Sequence, residues 1–107
     1  MEDPKSGMVE LDLSSLKLAG FISPYIGNLS FLGSLQLQNN QLTGKLPEQL
    51  GNVFRLRTLN VSFNGLTGAI PSNISQCKEL RILDPVQNQI SEEIPQGISQ
   101  LKGLFKF

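Results

Sequence analysis

Apolar residues recur along this chain with a period of 24 residues. The period is plainest for the leucine that opens each unit, at Leu32, Leu56, Leu80 and Leu104, with Met8 in the same slot one period earlier. Within a unit, runs such as Leu35-Gln36-Leu37 alternate apolar and polar positions, which predicts a short strand with one buried face. Because so short a strand cannot bury its apolar side alone, the repeat predicts a solenoid whose units stack their leucines into one core.

Three further residue types keep the same phase and mark the corners of each unit. Asparagine follows the strand where the chain must bend inward, and its amide can donate to and accept from backbone groups that would otherwise be buried without partners. Glycine and proline then suit a sharp corner and an extended return segment, because glycine tolerates unusual dihedrals and proline fixes one. These structural positions are Asn40, Asn64, Asn88, Gly44, Gly68, Pro47, Pro71 and Pro95.

The period divides the chain into turns. The first turn covers residues 8–31, the second 32–55, the third 56–79 and the fourth 80–103, while 104–107 begin a fifth turn and 1–7 form a leader that is expected to be flexible. The predicted fold class is an α/β-type solenoid, a right-handed coil with a parallel sheet along its concave side. Arrays of this kind normally end in polar capping turns, so the sequence favours a fragment of a longer protein.

A six-residue element in the second and third turns carries a family resemblance. It reads Leu42-Thr43-Gly44-Lys45-Leu46-Pro47 and Leu66-Thr67-Gly68-Ala69-Ile70-Pro71. With the strands before it, this element resembles the plant-specific leucine-rich repeat, LxxLxLxxNxLxGxIPxxLGxLxx, and the resemblance covers residues 8–107. The opening turn looks like the first repeats of plant leucine-rich-repeat receptor kinases. The resemblance implies a partner-binding ectodomain outside the cell, with a kinase domain only in the parent chain.

Composition narrows the function classes. Nine Lys and Arg balance nine Asp and Glu, so no broad electrostatic field favours nucleic acid or an anionic membrane. The absence of histidine removes the commonest general base and metal ligand, and one cysteine cannot form an internal disulfide or a zinc cluster. We therefore expect no enzymatic activity, no cofactor and no metal. No apolar run spans a membrane, and the leader has no signal-peptide core.

The exposed side of the predicted parallel sheet is the candidate binding face, because solenoids use it as an extended concave surface. Its outward positions in the third and fourth turns carry arginine and apolar side chains, which are typical interface anchors. The candidate partner-binding residues are Arg57, Phe63, Arg81, Ile82 and Asp84. An alternative stays open at this point, in which both arginines are solvated edge residues that pair with Asp84.

Three Asn-x-Ser sequons make Asn28, Asn60 and Asn73 candidate glycosylation sites. Three such tripeptides in a short chain favour a secretory origin. Asn60 lies between Arg57 and Phe63, so a glycan there would cover the candidate binding face. Glycosylation of Asn60 and binding at this surface therefore exclude each other locally.

Departures from the repeat give three more expectations. Cys77 stands in an apolar slot shared with Leu29, Val53 and Leu101, which predicts core packing and not redox chemistry. Pro85 stands where the fourth strand should carry an inward leucine, so we expect a shortened or locally unpaired strand there. The unfinished stub, with Leu104, Phe105 and Phe107, exposes apolar surface that favours self-association through the carboxyl-terminal end.

The function expected from these observations is protein or peptide recognition by a receptor-like module in signalling or defence, with a co-receptor as a further candidate partner. It is expected at the cell surface or outside the cell. The alternative is a secreted interaction protein that does not signal, such as an inhibitor of microbial wall-degrading enzymes, whose repeats are similar in sequence. A membrane-spanning run and kinase motifs after the array would indicate the receptor, and a capping turn and a stop would indicate the secreted protein.

Overall fold

A computed structural model of the chain describes residues 2–3 and 8–91. The described part forms short strands and 3-10 helices in a repeating order. In sequence these are β1 Glu2–Asp3, β2 Met8–Asp12, β3 Ala19–Phe21, η1 Pro24–Asn28, β4 Leu32–Gln36, β5 Gln41–Lys45, η2 Glu48–Asn52, β6 Thr58–Asn60, β7 Gly65–Gly68, η3 Ser72–Gln76, β8 Ile82–Asp84 and β9 Gln89–Ile90. Each turn thus contributes one strand to each of two sheets, and the first three turns place a 3-10 helix between successive concave strands.

The concave sheet has the strand order β1-β2-β4-β6-β8, and all its pairs are parallel except β1 with β2. Its register follows the 24-residue period, since Leu35 pairs with Leu59 and Leu59 with Leu83. One irregularity lies between the first two turns, where Val9 pairs with Leu32 but Glu10 pairs with Ser34. Gly33 is therefore the extra residue of a β-bulge, which bends the edge of the sheet at this point. The parallel concave sheet predicted from the repeat is confirmed.

A second parallel sheet, with the order β3-β5-β7-β9, is formed by the segments that follow the asparagines. The sequence pattern predicted only an extended return segment there. Partners in this sheet are 22 residues apart, as Gly20 with Leu42 and Gly44 with Leu66 show. Gly20, Gly44 and Gly68 have φ of 95°, 79° and 78°, a backbone conformation that favours glycine. These glycines let each chain segment turn within the second sheet.

The core lies between the two sheets and the 3-10 helices. Fully buried leucines from successive concave strands, Leu35, Leu59 and Leu83, stack along its length at 0% exposure. The outer wall closes over them through the 3-10 helices, whose buried members include Leu50 and Ile74. The first turn adds only Ile22 to this buried cluster, and its other core-facing residues are partly buried against it, namely Val9, Leu11, Leu13, Leu18, Ile26 and Leu29. The core is thus best formed in the second and third turns.

The repeated asparagines connect neighbouring turns through their amides. Asn64 Nδ2 lies 3.0 Å from the carbonyl of Leu37 in the preceding turn and 3.0 Å from the carbonyl of Val61 in its own turn. Its Oδ1 accepts a hydrogen bond of 3.0 Å from the backbone N–H of Leu42. Asn40 and Asn88 make equivalent bonds one turn to either side. Each amide thereby satisfies backbone groups at a corner where strand pairing has ended.

Pro85 disturbs the concave sheet less than its place in the repeat predicted. β8 has three residues, as β6 does, and both end at equivalent positions. Pairing toward the third turn continues past the proline, because Val61 N–H donates to the Asp84 carbonyl at 3.0 Å and Phe63 N–H donates to the Val86 carbonyl at 2.9 Å. In this sheet each backbone N–H at these positions donates toward the following turn, so the donor that proline lacks would face away from β6. The expectation of a shortened or locally unpaired strand at Pro85 is therefore wrong for the side of β8 that faces the third turn.

Several sequence predictions fall outside the described residues. They concern Pro95, the later part of the fourth turn and the stub at 104–107, including self-association through the carboxyl-terminal end. The assignment of 1–7 to a leader also stays a prediction, although Glu2–Asp3 pair with β2.

Candidate functional site

The concave face is a shallow sheet surface on which each turn presents equivalent backbone positions. In the second turn these positions carry Ser34, Gln36 and Gln38, and in the third turn they carry Thr58, Asn60 and Ser62. The middle of the face is therefore polar in both turns. Differences between the turns are concentrated at the two ends of the strands.

Arg57 and Phe63, which the sequence pattern grouped in one site, lie at opposite ends of the third concave strand. Phe63 is six positions after Arg57, which at about 3.3 Å per extended residue places the two about 15–20 Å apart. Arg81 lies beside Arg57, because its backbone N–H donates to the Arg57 carbonyl at 2.8 Å. Val86 lies beside Phe63 through the backbone bond at 2.9 Å. The face thus has a basic end and an apolar end, and one ligand reaching both must be extended.

Phe63 has an uncommon backbone conformation for an aromatic residue. Its φ is 58°, and the side chain is 54% exposed. The equivalent positions in the other turns, Ser15, Asn39 and Gln87, have the same left-handed conformation with polar side chains. Left-handed backbone disfavours side chains other than glycine, asparagine and aspartate. The third turn therefore holds an exposed phenylalanine at a position whose backbone would favour asparagine.

Asp84, Ile82 and Arg57, three of the candidate partner-binding residues, differ in burial and in the groups they contact. Asp84 is 8% exposed and its Oδ1 accepts a hydrogen bond of 3.2 Å from the Val86 backbone N–H. Ile82 is half-buried and pairs with Thr58. The ion pair of Arg57 is with Glu79, at 3.9 Å, and both side chains are about half exposed. Exposed pairs of this length contribute little to stability, so the Arg57 guanidinium can change partners.

The three sequons occupy different surroundings. Asn28 is exposed at the end of η1, and Asn73 is half-buried within η3. Asn60 is half-buried on the concave face, where its Oδ1 accepts from the Ser62 backbone N–H at 3.0 Å and from the Ser62 hydroxyl at 2.7 Å. These bonds occupy the amide oxygen, and a glycan would attach at the other atom of the amide, Asn60 Nδ2.

Cys77 lies in the core between the second and third turns. It is 0% exposed, and its thiol lies 3.3 Å from the Val53 carbonyl. Burial raises the pKa of the Cys77 thiol to about 11, so the reactive thiolate is scarce at neutral pH. The placement agrees with core packing.

A groove lies at the amino-terminal ends of the concave strands, and Arg57 is the one residue of its lining that the sequence pattern proposed for binding. It has a volume of about 170 Å³, and its lining includes Met8, Phe31, Gly33, Arg55, Arg57 and Glu79. Gly33 occupies the slot that holds Val9, Arg57 and Arg81 in the other turns. A glycine in that slot was the available signal, because it has no side chain of its own there and the Met8 side chain lies over it.

Within 2–3 and 8–91, no group of three or more His, Cys, Asp or Glu side chains could hold a metal ion. None of the helices in that part of the chain qualifies as a candidate membrane span.

Comparison with known families and structures identifies the repeat. Residues 31–53 and 55–77 each match the family model described as Leucine Rich Repeat. The PEPR1–AtPEP1 crystal structure is 41% identical, with a TM-score of 0.87, and the match covers 92% of this chain and 14% of that one. No curated protein sequence matches the chain significantly.

Two Arabidopsis structures are similar to the same extent. The receptor kinase HAESA, solved with the peptide hormone IDA and the co-receptor SERK1, is 33% identical with a TM-score of 0.87, over 94% of this chain and 17% of that one. The leucine-rich-repeat ectodomain of the receptor kinase SOBIR1 from Arabidopsis thaliana is 35% identical with a TM-score of 0.83, over 97% of this chain and 60% of that one. The chain thus spans between 14% and 60% of these three structures.

Proposed function

The chain is a leucine-rich-repeat protein that resembles plant receptor-kinase ectodomains, and on that premise we propose that it is a peptide- or protein-binding module of an extracellular receptor. The resemblance to a receptor kinase solved with a peptide hormone and a co-receptor supports this class of ligand. A role in signalling or defence and a position outside the cell are part of the same proposal.

One observation carries the proposal: Phe63 is half exposed on the concave face in left-handed backbone. Strained conformations persist where something other than stability selects them, and an exposed aromatic is a typical interface anchor. Burying this side chain against a partner is worth about 2 kcal/mol from apolar area. Val86 beside it, 48% exposed, enlarges the apolar end.

The basic end supplies the second anchor. Arg57 and Arg81 can make bidentate contacts to carboxylates, and the exposed Arg57–Glu79 pair is weak enough to be replaced. A ligand that spans both ends needs about 15–20 Å, or five to six extended residues. We therefore propose an extended peptide segment with an acidic group at one end and an apolar side chain at the other, lying across Ile82 and Asp84.

The proposal also assigns glycans to sequons away from the concave face and none to the sequon on it. We propose that Asn28, exposed on the outer wall, and Asn73 carry glycans in a secreted parent protein, and that Asn60 does not. A glycan at Asn60 would stand between the basic and apolar ends and block an extended ligand. Mass spectrometry of the protein from its native host measures occupancy at each sequon.

The binding proposal is tested by selecting heptapeptides from a random display library against the purified chain and measuring the affinities of the winners by calorimetry. We expect Phe63→Ala and Arg57→Ala each to weaken binding about tenfold or more, since each removes an anchor. Phe54→Ala is the matched control, because Phe54 is 52% exposed and lies outside the concave face. Selected peptides that bind all three variants equally would overturn the proposal.

A further inference from the structure

The chain contains one Asn-Gly pair, Asn64-Gly65, at the corner that follows the third concave strand. Glycine has no Cβ, so its backbone nitrogen is unshielded and the chain around it can reach many conformations. For this reason an asparagine amide that precedes glycine is readily attacked by the glycine nitrogen. The pair also lies directly after Phe63, at the apolar end of the concave face. A chemical change at Asn64 would therefore fall beside that surface.

The fold does not require a glycine at position 65. Its φ is not positive, unlike that of Gly68 in the same strand. Gln41 and Gln89 stand in the same slot of the second and fourth turns. The nearest atom to a Cβ built on Gly65 would be the Leu42 carbonyl oxygen at 3.3 Å, so a side chain there needs only a small adjustment. The reactive pair is thus a departure from the repeat that can be removed while the corner is kept.

In the folded chain, hydrogen bonds hold the amide of Asn64 in place. Its Nδ2 donates to the Leu37 carbonyl in the preceding turn and to the Val61 carbonyl in its own turn, both at 3.0 Å. Its Oδ1 accepts from the Leu42 backbone N–H at 3.0 Å. Gly65 is held as the first residue of β7 in the second sheet. Turning the amide so that its Cγ meets the Gly65 nitrogen breaks these bonds, so the closed corner protects the pair.

We propose that Asn64 is a deamidation site that reacts when the second and third turns separate locally. The Gly65 nitrogen loses its proton to solvent base and bonds to Asn64 Cγ, while the Cγ–Nδ2 bond breaks and ammonia leaves. Water then adds to the resulting succinimide and opens it to an aspartyl or an isoaspartyl linkage. The carboxylate of either product only accepts hydrogen bonds, so it cannot donate to the Leu37 and Val61 carbonyls as the amide did. The corner therefore does not re-form with its original bonds.

Deamidation makes a transient opening of the solenoid permanent. Folded chains open locally at a free energy below that of global unfolding, and they normally close again. A chain that deamidates while it is open has lost the donors that joined its second and third turns. Binding at Phe63 should be lost with the corner, and only this consequence rests on the proposed binding function. The reaction itself does not depend on Phe63, so its rate can be tested separately.

The experiment is incubation of the purified chain in warm, mildly alkaline buffer, followed by tryptic digestion and mass spectrometry. Peptide 58–78 contains Asn60, Asn64 and Asn73, so its fragment ions compare three asparagines in one measurement. We expect modification at Asn64 and little at the other two, because the valine and isoleucine that follow them are branched at Cβ and crowd the backbone nitrogen. The folded chain should react at least about tenfold more slowly than isolated peptide 58–78, since opening must come first.

Two comparisons test whether opening controls the reaction. Urea below the unfolding transition should accelerate Asn64 deamidation and the hydrogen exchange of the Leu42 amide by the same factor, because both need the bond between them to break. Gly65→Gln is the matched control, since it copies Gln41 and Gln89. This variant should keep the amide spectrum of the fold, and in its urea-unfolded state Asn64 should react at least about tenfold more slowly than in the unmodified chain.

Other results would overturn the inference. Deamidation of the folded chain as fast as that of peptide 58–78 would show that the corner does not protect Asn64. A rate that stays constant while urea accelerates Leu42 exchange would show that local opening does not control the reaction. An unfolded chain that stays unmodified at Asn64 would remove the site altogether. Aged chain that keeps its affinity for display-selected peptides, when Phe63→Ala loses it, would show that deamidation leaves the corner closed.

Discussion

The second and third turns are built on the same backbone, yet they present different side chains at the two ends of their concave strands. Their concave strands pair in strict 24-residue register, and their asparagines make the same pattern of bonds. At the left-handed position after the strand, however, the second turn has Asn39 and the third has Phe63. Before the strand, the second turn has Gly33 where the third has Arg57. The interior is thus repeated, while the strand ends are free to differ.

The largest expected effect tests the repeated interior. Replacing Asn64 by alanine removes donors to Leu37, Val61 and Ser62 and the acceptor for Leu42 N–H. Because several half-buried backbone groups lose partners together, we expect a loss of roughly 3–5 kcal/mol of unfolding free energy. Asn40→Ala should cost a similar amount, since the two turns are equivalent here. Urea unfolding monitored by circular dichroism measures both.

The matched control for this prediction is Asn52→Ala, an exposed asparagine at the end of η2. A surface change of this kind should alter stability by less than about 0.5 kcal/mol. Similar, small costs for all three substitutions would mean that the asparagines do not hold the turns together.

The second prediction concerns packing between the outer helices of these turns. A Cβ on Gly51 in η2 would lie 2.4 Å from the Asn73 carbonyl oxygen in η3, a contact with backbone that only a shift of the turns could relieve. We expect Gly51→Ala to cost roughly 2 kcal/mol through overpacking. Gly27→Ala, one turn earlier, meets its nearest atom at 2.9 Å and should cost less. Equal thermal shifts in the two variants would contradict this ranking.

Much of this interior could be predicted from the sequence, because its cause is periodic. The strand leucines, the asparagine corners and the parallel concave sheet all follow from residue types that recur at one spacing. The second sheet could not be predicted from the 24-residue period. Its partners are 22 residues apart, as for Gly44 and Leu66, and no repeated residue type signals that offset.

The candidate site was predicted less completely, because its features are departures from the repeat. The sequence placed Arg57 and Phe63 on one face but did not show that the five intervening residues put them at opposite ends of it. Nor could it show that the ion pair of Arg57 is with Glu79, which depends on how two neighbouring loops pack. Pro85 was misjudged because the direction in which the backbone N–H of that position donates, toward the following turn, is a property of the folded sheet.

A third prediction exchanges the residues at the left-handed position between the two turns. Phe63→Asn should raise the unfolding free energy by about 1 kcal/mol, because asparagine tolerates this backbone and phenylalanine does not. Asn39→Phe should lower the unfolding free energy by a similar amount, because it places phenylalanine in the same left-handed backbone. The side chain lost adds little, since the 3.4 Å contact from Asn39 to the Ser15 hydroxyl is too long to contribute much. The same Phe63→Asn variant should lose affinity for display-selected peptides. A variant that is both less stable and fully active would separate Phe63 from any binding role.

The smallest expected effect compares Asp12 in the first turn with Asn60 in the third. Each side chain accepts hydrogen bonds from the serine two residues later. Asp12 Oδ1 accepts from the Ser14 backbone N–H at 3.0 Å and from its hydroxyl at 2.6 Å, as Asn60 does from Ser62. The geometry is shared, but only the aspartate titrates. The hydrogen bonds from the Ser14 hydroxyl and N–H lower the pKa of the Asp12 carboxyl below its ordinary value of 3.8.

A carboxyl whose folded pKa is lowered contributes stability that is present above its unfolded pKa and is lost as pH falls through the folded pKa. Ser14→Ala should therefore destabilise the chain slightly at pH 7, and the difference from the unmodified chain should shrink below about pH 4, near the ordinary pKa of an aspartate. Ser62→Ala removes the equivalent hydroxyl bond to a neutral amide, so its cost should not change across the same pH range. Parallel thermal melts of the two variants from neutral pH down to about pH 3 measure this. A pH-dependent cost for Ser62→Ala, or a constant one for Ser14→Ala, would show that charge does not distinguish the two loops.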